Sequence, residues 1–264
     1  MSALLSVGAV SVVFDGVTAL CDVSFEVQQG ELLGLIGPNG AGKTTMLKVI
    51  TGVVRQTSGS VRLDGRPLDG LPTHVRIRRG LALSQQIVTP FRDMSVIDNV
   101  ALAAGAAMTV SPVKALLHTR RERELNIGHQ LLSRVGIAPQ ANESPKTQPM
   151  GTLKRLELAR ALALAPSLLL LDEPLAGLNS KEARLLADTI TEINRGGTTI
   201  VLIEHNLGEV LRVCHRLVVL DNGEKIAEGE PAAVMNNASV RAAYLGTGAA
   251  AATTGPAGDQ HAAA

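Results

Sequence analysis

Gly37-Pro38-Asn39-Gly40-Ala41-Gly42-Lys43-Thr44-Thr45 is the stretch that decides the fold. It fits G-x-x-x-x-G-K-[ST], the phosphate-binding loop of nucleoside triphosphatases. The apolar run from Glu31 to Ile36 precedes it and indicates a strand buried on both faces, and Thr45 to Ile50 follows as a helix ending near Gly52. Backbone N–H groups and the helix dipole of such a unit point at phosphate. The stretch therefore predicts a nucleotide site.

The side chains of this loop suit a triphosphate. Glycines allow the backbone to bend and to approach phosphate oxygens closely. Lys43 brings a mobile positive charge to the β- and γ-phosphates of ATP, and the Thr44 hydroxyl can ligate Mg²⁺. We predict that the whole loop binds the cofactor: Gly37, Pro38, Asn39, Gly40, Ala41, Gly42, Lys43, Thr44 and Thr45.

A second apolar strand, Leu168 to Leu171, ends in two carboxylates. A carboxylate beside the phosphate loop can hold Mg²⁺ through water, which is the role we predict for Asp172. The next carboxylate, Glu173, can polarise the water that attacks the γ-phosphate. Four leucines and an acidic pair are a weak signal alone, but they are a strong one together with the phosphate loop.

Composition narrows the function classes. The chain has 264 residues, a net charge of +1, no Trp and one Tyr, which argues against a nucleic-acid partner. Cys21 and Cys214 are far apart in sequence, so we expect two reduced thiols. Neither a signal peptide nor a membrane-spanning run is apparent, and we expect a cytosolic protein whose membrane role depends on partners.

Periodicity and turn residues predict the remaining elements. The tail, residues 247–264, consists mainly of Ala, Gly and Thr, and we expect it to be disordered. Asp221-Asn222-Gly223 is typical of a hairpin turn. Antiparallel strands are predicted at 5–14 and 22–28, further strands at 61–65, 168–171, 198–203, 217–220 and 225–227, and helices at 95–107, 118–135, 153–165 and 182–194.

With these motifs in this order, the chain resembles the ATP-binding subunit of an ABC transporter over roughly residues 5 to 246. The resemblance places Gln86 at the family's Q-loop, where it would serve Mg²⁺ and catalysis. It places Ala176 to Asn179 at the D-loop, and it places His205 at the switch histidine, where it would contact the γ-phosphate.

Two of these positions have alternatives. Gln85 is the other candidate for the functional amide, and alignment favours Gln86. Phe14 lies where the family places an aromatic ring against adenine, but an apolar residue at this position could equally belong to the core.

One departure from the family pattern concerns the signature loop, usually Leu-Ser-Gly-Gly-Gln. It falls here on Gln148 to Thr152, where Gly151 alone matches, and Gly151 would contact the ATP of the opposite subunit. Pro149 stands in the serine position and has neither a hydroxyl nor an N–H group. The resemblance therefore implies pairing with a second ABC ATPase subunit, and we expect that subunit to be a different chain with an intact signature loop.

The resemblance implies an α/β fold: a P-loop NTPase core of the ABC type, with an N-terminal antiparallel β layer and a helical insertion at about 90–152, in one domain from 1 to 246. It also implies ATP hydrolysis for a membrane importer, with permease subunits as direct partners and an extracytoplasmic substrate-binding protein as an indirect one. A soluble ABC ATPase without a transporter and an exporter subunit are the alternatives.

Within the family, the branched-chain amino-acid importer subunits are the most similar. They serve hydrophobic amino acids and some related small amides. Four stretches carry this resemblance: Pro90 to Val96, Arg155 to Ala161, Asp172 to Asn179 and Ala243 to Gly246.

Overall fold

The computed structural model describes residues 3–84, 89–105 and 121–251. An antiparallel sheet with the order β2-β1-β4-β5 forms one layer. Its strands are β1 (Ala3–Phe14), β2 (Val17–Gln28), β4 (Ser58–Leu63) and β5 (Arg66–Pro67). The expected antiparallel β layer is therefore present, and it comes from the N-terminal part of the chain.

The second sheet has the order β10-β9-β3-β8-β7-β6. Neighbouring strands are parallel except at the edge, where β10 pairs antiparallel with β9 through the hairpin turn expected at Asn222-Gly223. Its strands are β3 (Leu32–Ile36), β6 (Leu81–Ser84), β7 (Leu168–Asp172), β8 (Thr199–Ile203), β9 (Arg216–Asp221) and β10 (Glu224–Gly229).

Helices connect these strands and cover the second sheet. The helical insertion between β6 and β7 holds α3, α4 and the start of α5. The helices are α1 (Lys43–Thr51), α2 (Thr73–Arg78), α3 (Val96–Ala104), α4 (Glu122–Arg134), α5 (Met150–Ala163), α6 (Ser180–Arg195), α7 (Leu207–Val213), α8 (Pro231–Asn236) and α9 (Ala238–Ala251). Within the described residues, none of these helices is long and apolar enough to cross a membrane.

The apolar runs of the parallel strands divide between two cores. In β7, Leu169 and Leu171 pack with the helical insertion and α6, whereas Leu168 and Leu170 pack with α1 and the antiparallel sheet. Because successive side chains of a strand point to opposite faces, a strand between two layers must be apolar throughout. This explains the unbroken runs in β3, β7 and β8.

The predicted fold class is confirmed, and the differences concern boundaries and several elements that were not predicted. Helix α5 begins at Met150 and not at Leu153, so the signature stretch forms its first turn. Helix α9 continues to Ala251, past residue 247, where we expected a disordered tail to begin. The short elements α2, β6, α7 and α8 were not predicted.

Candidate active site

The phosphate loop joins the carboxyl end of β3 to α1 and lines a cleft of about 320 Å³. Two of its glycines could not carry a side chain. Gly37 has φ +150°, and a Cβ atom there would lie 2.0 Å from the carbonyl oxygen of Leu220. Gly42 has φ +100°, and its Cβ would lie 2.7 Å from the Leu20 side chain. Glycine is thus required both by the backbone conformation and by the close packing.

Lys43 is buried inside this loop. Its Nζ donates hydrogen bonds to the carbonyl oxygens of Gly37, at 2.8 Å, and Pro38, at 2.7 Å. Burial lowers the pKa of Lys43, and the nearby charges of Glu173 and Asp172 oppose this shift. The ammonium group therefore lies between the loop and the two carboxylates, where a phosphate group would also be attracted.

Glu173 and His205 meet in the cleft, and Asp172, which precedes Glu173 at the end of β7, lies close enough to interact with both charges. Parallel strands β7 and β8 end at the same edge of the sheet, which brings Glu173 and His205 together although 32 positions separate them. His205 Nε2 lies 2.7 Å from Glu173 Oε1. Both side chains line the cleft with the phosphate loop.

The donors near the cleft fit Mg²⁺, which prefers oxygen ligands and commonly shares them with a substrate phosphate. Burial, and next the charge of Glu173, raise the pKa of Asp172, so its anion would gain from a nearby divalent cation. Thr44 adds an exposed hydroxyl. Among the described side chains, no cluster of three or more His, Cys, Asp or Glu residues could hold a metal by itself.

The remaining predicted residues take several positions. Asn39 to Thr45 line the cleft. Phe14 is 45 % exposed at the end of β1, so the alternative that it belongs to the core is wrong. It pairs with Val17 of β2, and Val17 lines the cleft. Gln85 and Gln86 lie outside the described residues.

The signature stretch lies elsewhere. Pro149 is the residue before the first turn of α5, and Gly151 and Thr152 belong to that turn. They line a separate cavity of about 180 Å³ together with Glu182 and Leu185 of α6. First-turn N–H groups have no partner within their own helix. The turn therefore has amide donors that its own helix does not satisfy, although its serine is absent.

Both cysteines are free, as expected, with Cys214 buried and Cys21 exposed.

Sequence reasoning missed other polar residues close to the site. Glu204 and Lys154 are buried next to Glu173. Glu204 directly precedes His205, and a charged residue at the end of an apolar strand was the available signal. Nothing in the local pattern of α5 distinguished Lys154 from a solvated lysine.

Comparison with known proteins connects this geometry to a family. The model of a family described as "ABC transporter" matches residues 20–176. A second, described as "Branched-chain amino acid ATP-binding cassette transporter", matches residues 224–250.

Individual relatives extend the similarity to nearly the whole chain. The high-affinity branched-chain amino acid transport ATP-binding protein LivG of Salmonella typhimurium is 39 % identical, over 92 % of this chain and 98 % of LivG. The lipopolysaccharide export system ATP-binding protein LptB of Acidithiobacillus ferridurans is 37 % identical, over 85 % of this chain and 89 % of LptB. The solved ADP conformation of an ATP-binding cassette of an ABC transporter has a TM-score of 0.82 at 27 % identity, covering 93 % of this chain and 100 % of that one.

Proposed function

Because this chain belongs to the ABC transporter family and is one of its ATP-hydrolysing subunits, we propose that it powers a membrane importer for branched-chain or other hydrophobic amino acids or related small amides. The observation that carries this proposal is the similarity to LivG over nearly the full length of both chains. The match of residues 224–250 to the branched-chain amino acid family also supports it, because that segment lies outside the general ABC transporter match at residues 20–176.

In the proposed mechanism the phosphate loop binds the triphosphate group of ATP. Lys43 and the loop amides bind the β- and γ-phosphates, and Phe14, beside Val17 at the rim of the cleft, stacks on the adenine. Thr44, Gln86 and Asp172 would hold Mg²⁺, which supplies positive charge to the phosphate oxygens when bound.

Glu173 orients the attacking water and accepts its proton, and His205 contacts the γ-phosphate. Two observations support these roles: the two side chains lie 2.7 Å apart, and both line the cleft together with the phosphate loop. Catalysis is then mainly positioning and charge stabilisation.

Two such subunits would bury two ATP molecules, with Gly151 of one chain facing the nucleotide of the other. The separate position of the signature stretch within one chain fits this arrangement. Closure of the two ATPase subunits would move the permease subunits bound to their surface. The permease subunits would also hold the protein at the cytoplasmic face of the membrane. An extracytoplasmic substrate-binding protein would deliver the substrate to the permeases.

The second candidate is an exporter subunit, which the 37 % identity to LptB favours. Deleting the gene in its host and measuring uptake of radiolabelled leucine, isoleucine and valine tests the import proposal. We expect uptake to be lost and to return with the wild-type gene but not with the Glu173→Gln variant. Normal uptake in the deletion strain, accompanied by a lipid-export defect, would favour the exporter.

A further inference from the structure

Glu173 has an unusual backbone. Its φ is +49°, in the left-handed region, which costs free energy for any residue with a Cβ atom. Such a conformation persists only where the surroundings impose it, and it commonly occurs at functional sites. The groups that hold Glu173 in place therefore bear on catalysis.

Contacts from two neighbouring elements hold this segment. The N–H of Glu173 donates to the carbonyl oxygen of Ile203 in β8, at 2.9 Å. The Nζ of Lys154 in α5 donates to the carbonyl oxygen of Glu173, at 3.3 Å. Two residues further on, the N–H of Leu175 donates to Oε1 of Glu204, at 2.5 Å. Both peptide groups of Glu173 and the turn after it are thus fixed by residues distant in sequence.

Glu204 joins this segment to the switch histidine. Its second oxygen, Oε2, accepts the N–H of His205 at 3.1 Å. One carboxylate therefore bridges the turn after Glu173 and the backbone of His205. Glu204 is only 4 % exposed, and a buried side chain bonded at both oxygens is held in one orientation.

Lys154 is the buried cation next to this carboxylate. It is 5 % exposed, and its charge interacts favourably with Glu204, Glu173, Glu157 and Asp172. A cation there offsets the mutual repulsion of the carboxylates. Lys154 also lies in α5, the helix whose first turn is the signature stretch. It therefore connects the part of the chain that would face a second subunit to the backbone of Glu173.

We propose that Lys154 and Glu204 are positioning residues for ATP hydrolysis, which hold the backbone of Glu173 and His205 in the arrangement that the reaction needs. Neither residue is part of the described lining of the nucleotide cleft, and the proposal gives neither a contact with ATP. The proposal rests on the catalytic function proposed above. It predicts an effect on the rate of the chemical step and little effect on ATP affinity.

The test uses the transporter reconstituted with its permease and partner ATPase subunits. Glu204→Gln replaces one of the two accepting oxygens with a donor at nearly constant shape, and Lys154→Met removes the cation. Lys154→Arg keeps the charge and the donors, and Lys225→Met, which changes an exposed lysine of β10, is the control. ATP affinity, KM and the single-turnover rate per bound ATP are measured for each.

We expect Glu204→Gln and Lys154→Met to lower kcat about tenfold or more, because small displacements of a catalytic group are costly. ATP affinity and KM should stay within about threefold of the wild type. Lys154→Arg should recover most of the rate, and Lys225→Met should be unchanged. A merely structural role would lower the amount of folded protein and leave the rate per bound ATP unchanged.

An unchanged kcat in both folded variants would overturn the positioning role, as would a loss confined to ATP affinity. If Lys154→Met does not fold, the kcat of the Glu204→Gln variant alone decides whether the positioning role holds. If none of the three variants at Lys154 and Glu204 folds, the two residues contribute to stability alone, and the proposed positioning role is also overturned. Glu173→Gln, assayed in parallel, tests the proposed function separately: normal turnover there would refute the role of Glu173 itself.

Discussion

At the scale of the residue, the loop holds the ammonium group of Lys43 in a buried position beside the proposed phosphate site. Its Nζ is bonded to two carbonyl oxygens of the loop, and burial lowers its pKa. This ammonium is bonded to neutral carbonyl oxygens and is partly shielded from water. A charged phosphate oxygen therefore stabilises it more than it would stabilise a fully hydrated lysine. The affinity of the proposed site for ATP should therefore depend strongly on the Lys43 side chain.

Lys43→Ala should weaken MgATP binding by about one to two orders of magnitude, which corresponds to a charge-assisted contact of about 1.5–3 kcal/mol. Isothermal titration calorimetry on the purified chain measures it. Lys48→Ala, which removes an exposed lysine from the same helix, is the matched control and should bind ATP normally. Equal affinities for the folded Lys43→Ala variant and the wild type would contradict the assignment.

At the scale of the element, the C-terminal segments support the phosphate loop from behind. In the turn between β9 and β10, the N–H of Gly223 donates to the carbonyl oxygen of Ala41, at 3.2 Å. Tyr244 of α9 accepts a hydrogen bond from the backbone of Gly37, and burial raises the pKa of Tyr244 to about 12. The loop thus packs against elements that follow it in the sequence by about 180 to 210 positions.

Tyr244→Phe should destabilise the protein by about 1–3 kcal/mol, the cost of leaving a buried backbone donor without its acceptor. The ring and its packing are retained, so the change isolates the hydroxyl. Urea unfolding followed by circular dichroism measures the shift in midpoint at constant slope. An unchanged midpoint would mean that the Gly37 N–H finds another partner.

At the scale of the whole molecule, the two surfaces that we propose to face ATP lie apart within one chain. The cleft at Lys43 and the cavity at Gly151 have separate linings. If two subunits bury two ATP molecules, each site combines the phosphate loop of one chain with the signature stretch of the other. The missing serine at Pro149 would then weaken the site on the partner and leave the site on this chain intact.

Turnover of the assembled transporter should therefore be asymmetric. Glu173→Gln in this chain should abolish most ATP hydrolysis, because the amide cannot accept the water proton. The equivalent change in the partner should cost much less. Steady-state ATPase rates of the two singly mutated complexes make the comparison. Equal losses, or rapid hydrolysis by this chain alone, would mean that the altered signature stretch has no catalytic consequence.

The strand–loop–helix unit at Lys43, the acidic end of β7 and the burial of β3 on both faces could all be predicted from the sequence alone. These features are local: glycine spacing and hydrophobic period depend on residues within a few positions of one another. Short elements such as α2 and α7 escaped prediction because helices of this length are stabilised by their tertiary contacts more than by propensity.

Only the tertiary structure decided which distant groups meet. Phe14 lies exposed at a hairpin end, because an apolar residue in a strand carries no local mark of whether its face is covered. Lys154 reaches Glu173, and Glu204 reaches Leu175, because β8 lies beside β7 in the sheet and α5 shares a hydrophobic core with both strands. Such contacts depend on how layers pack, and burial of a charged side chain is favourable only once its partners are in place.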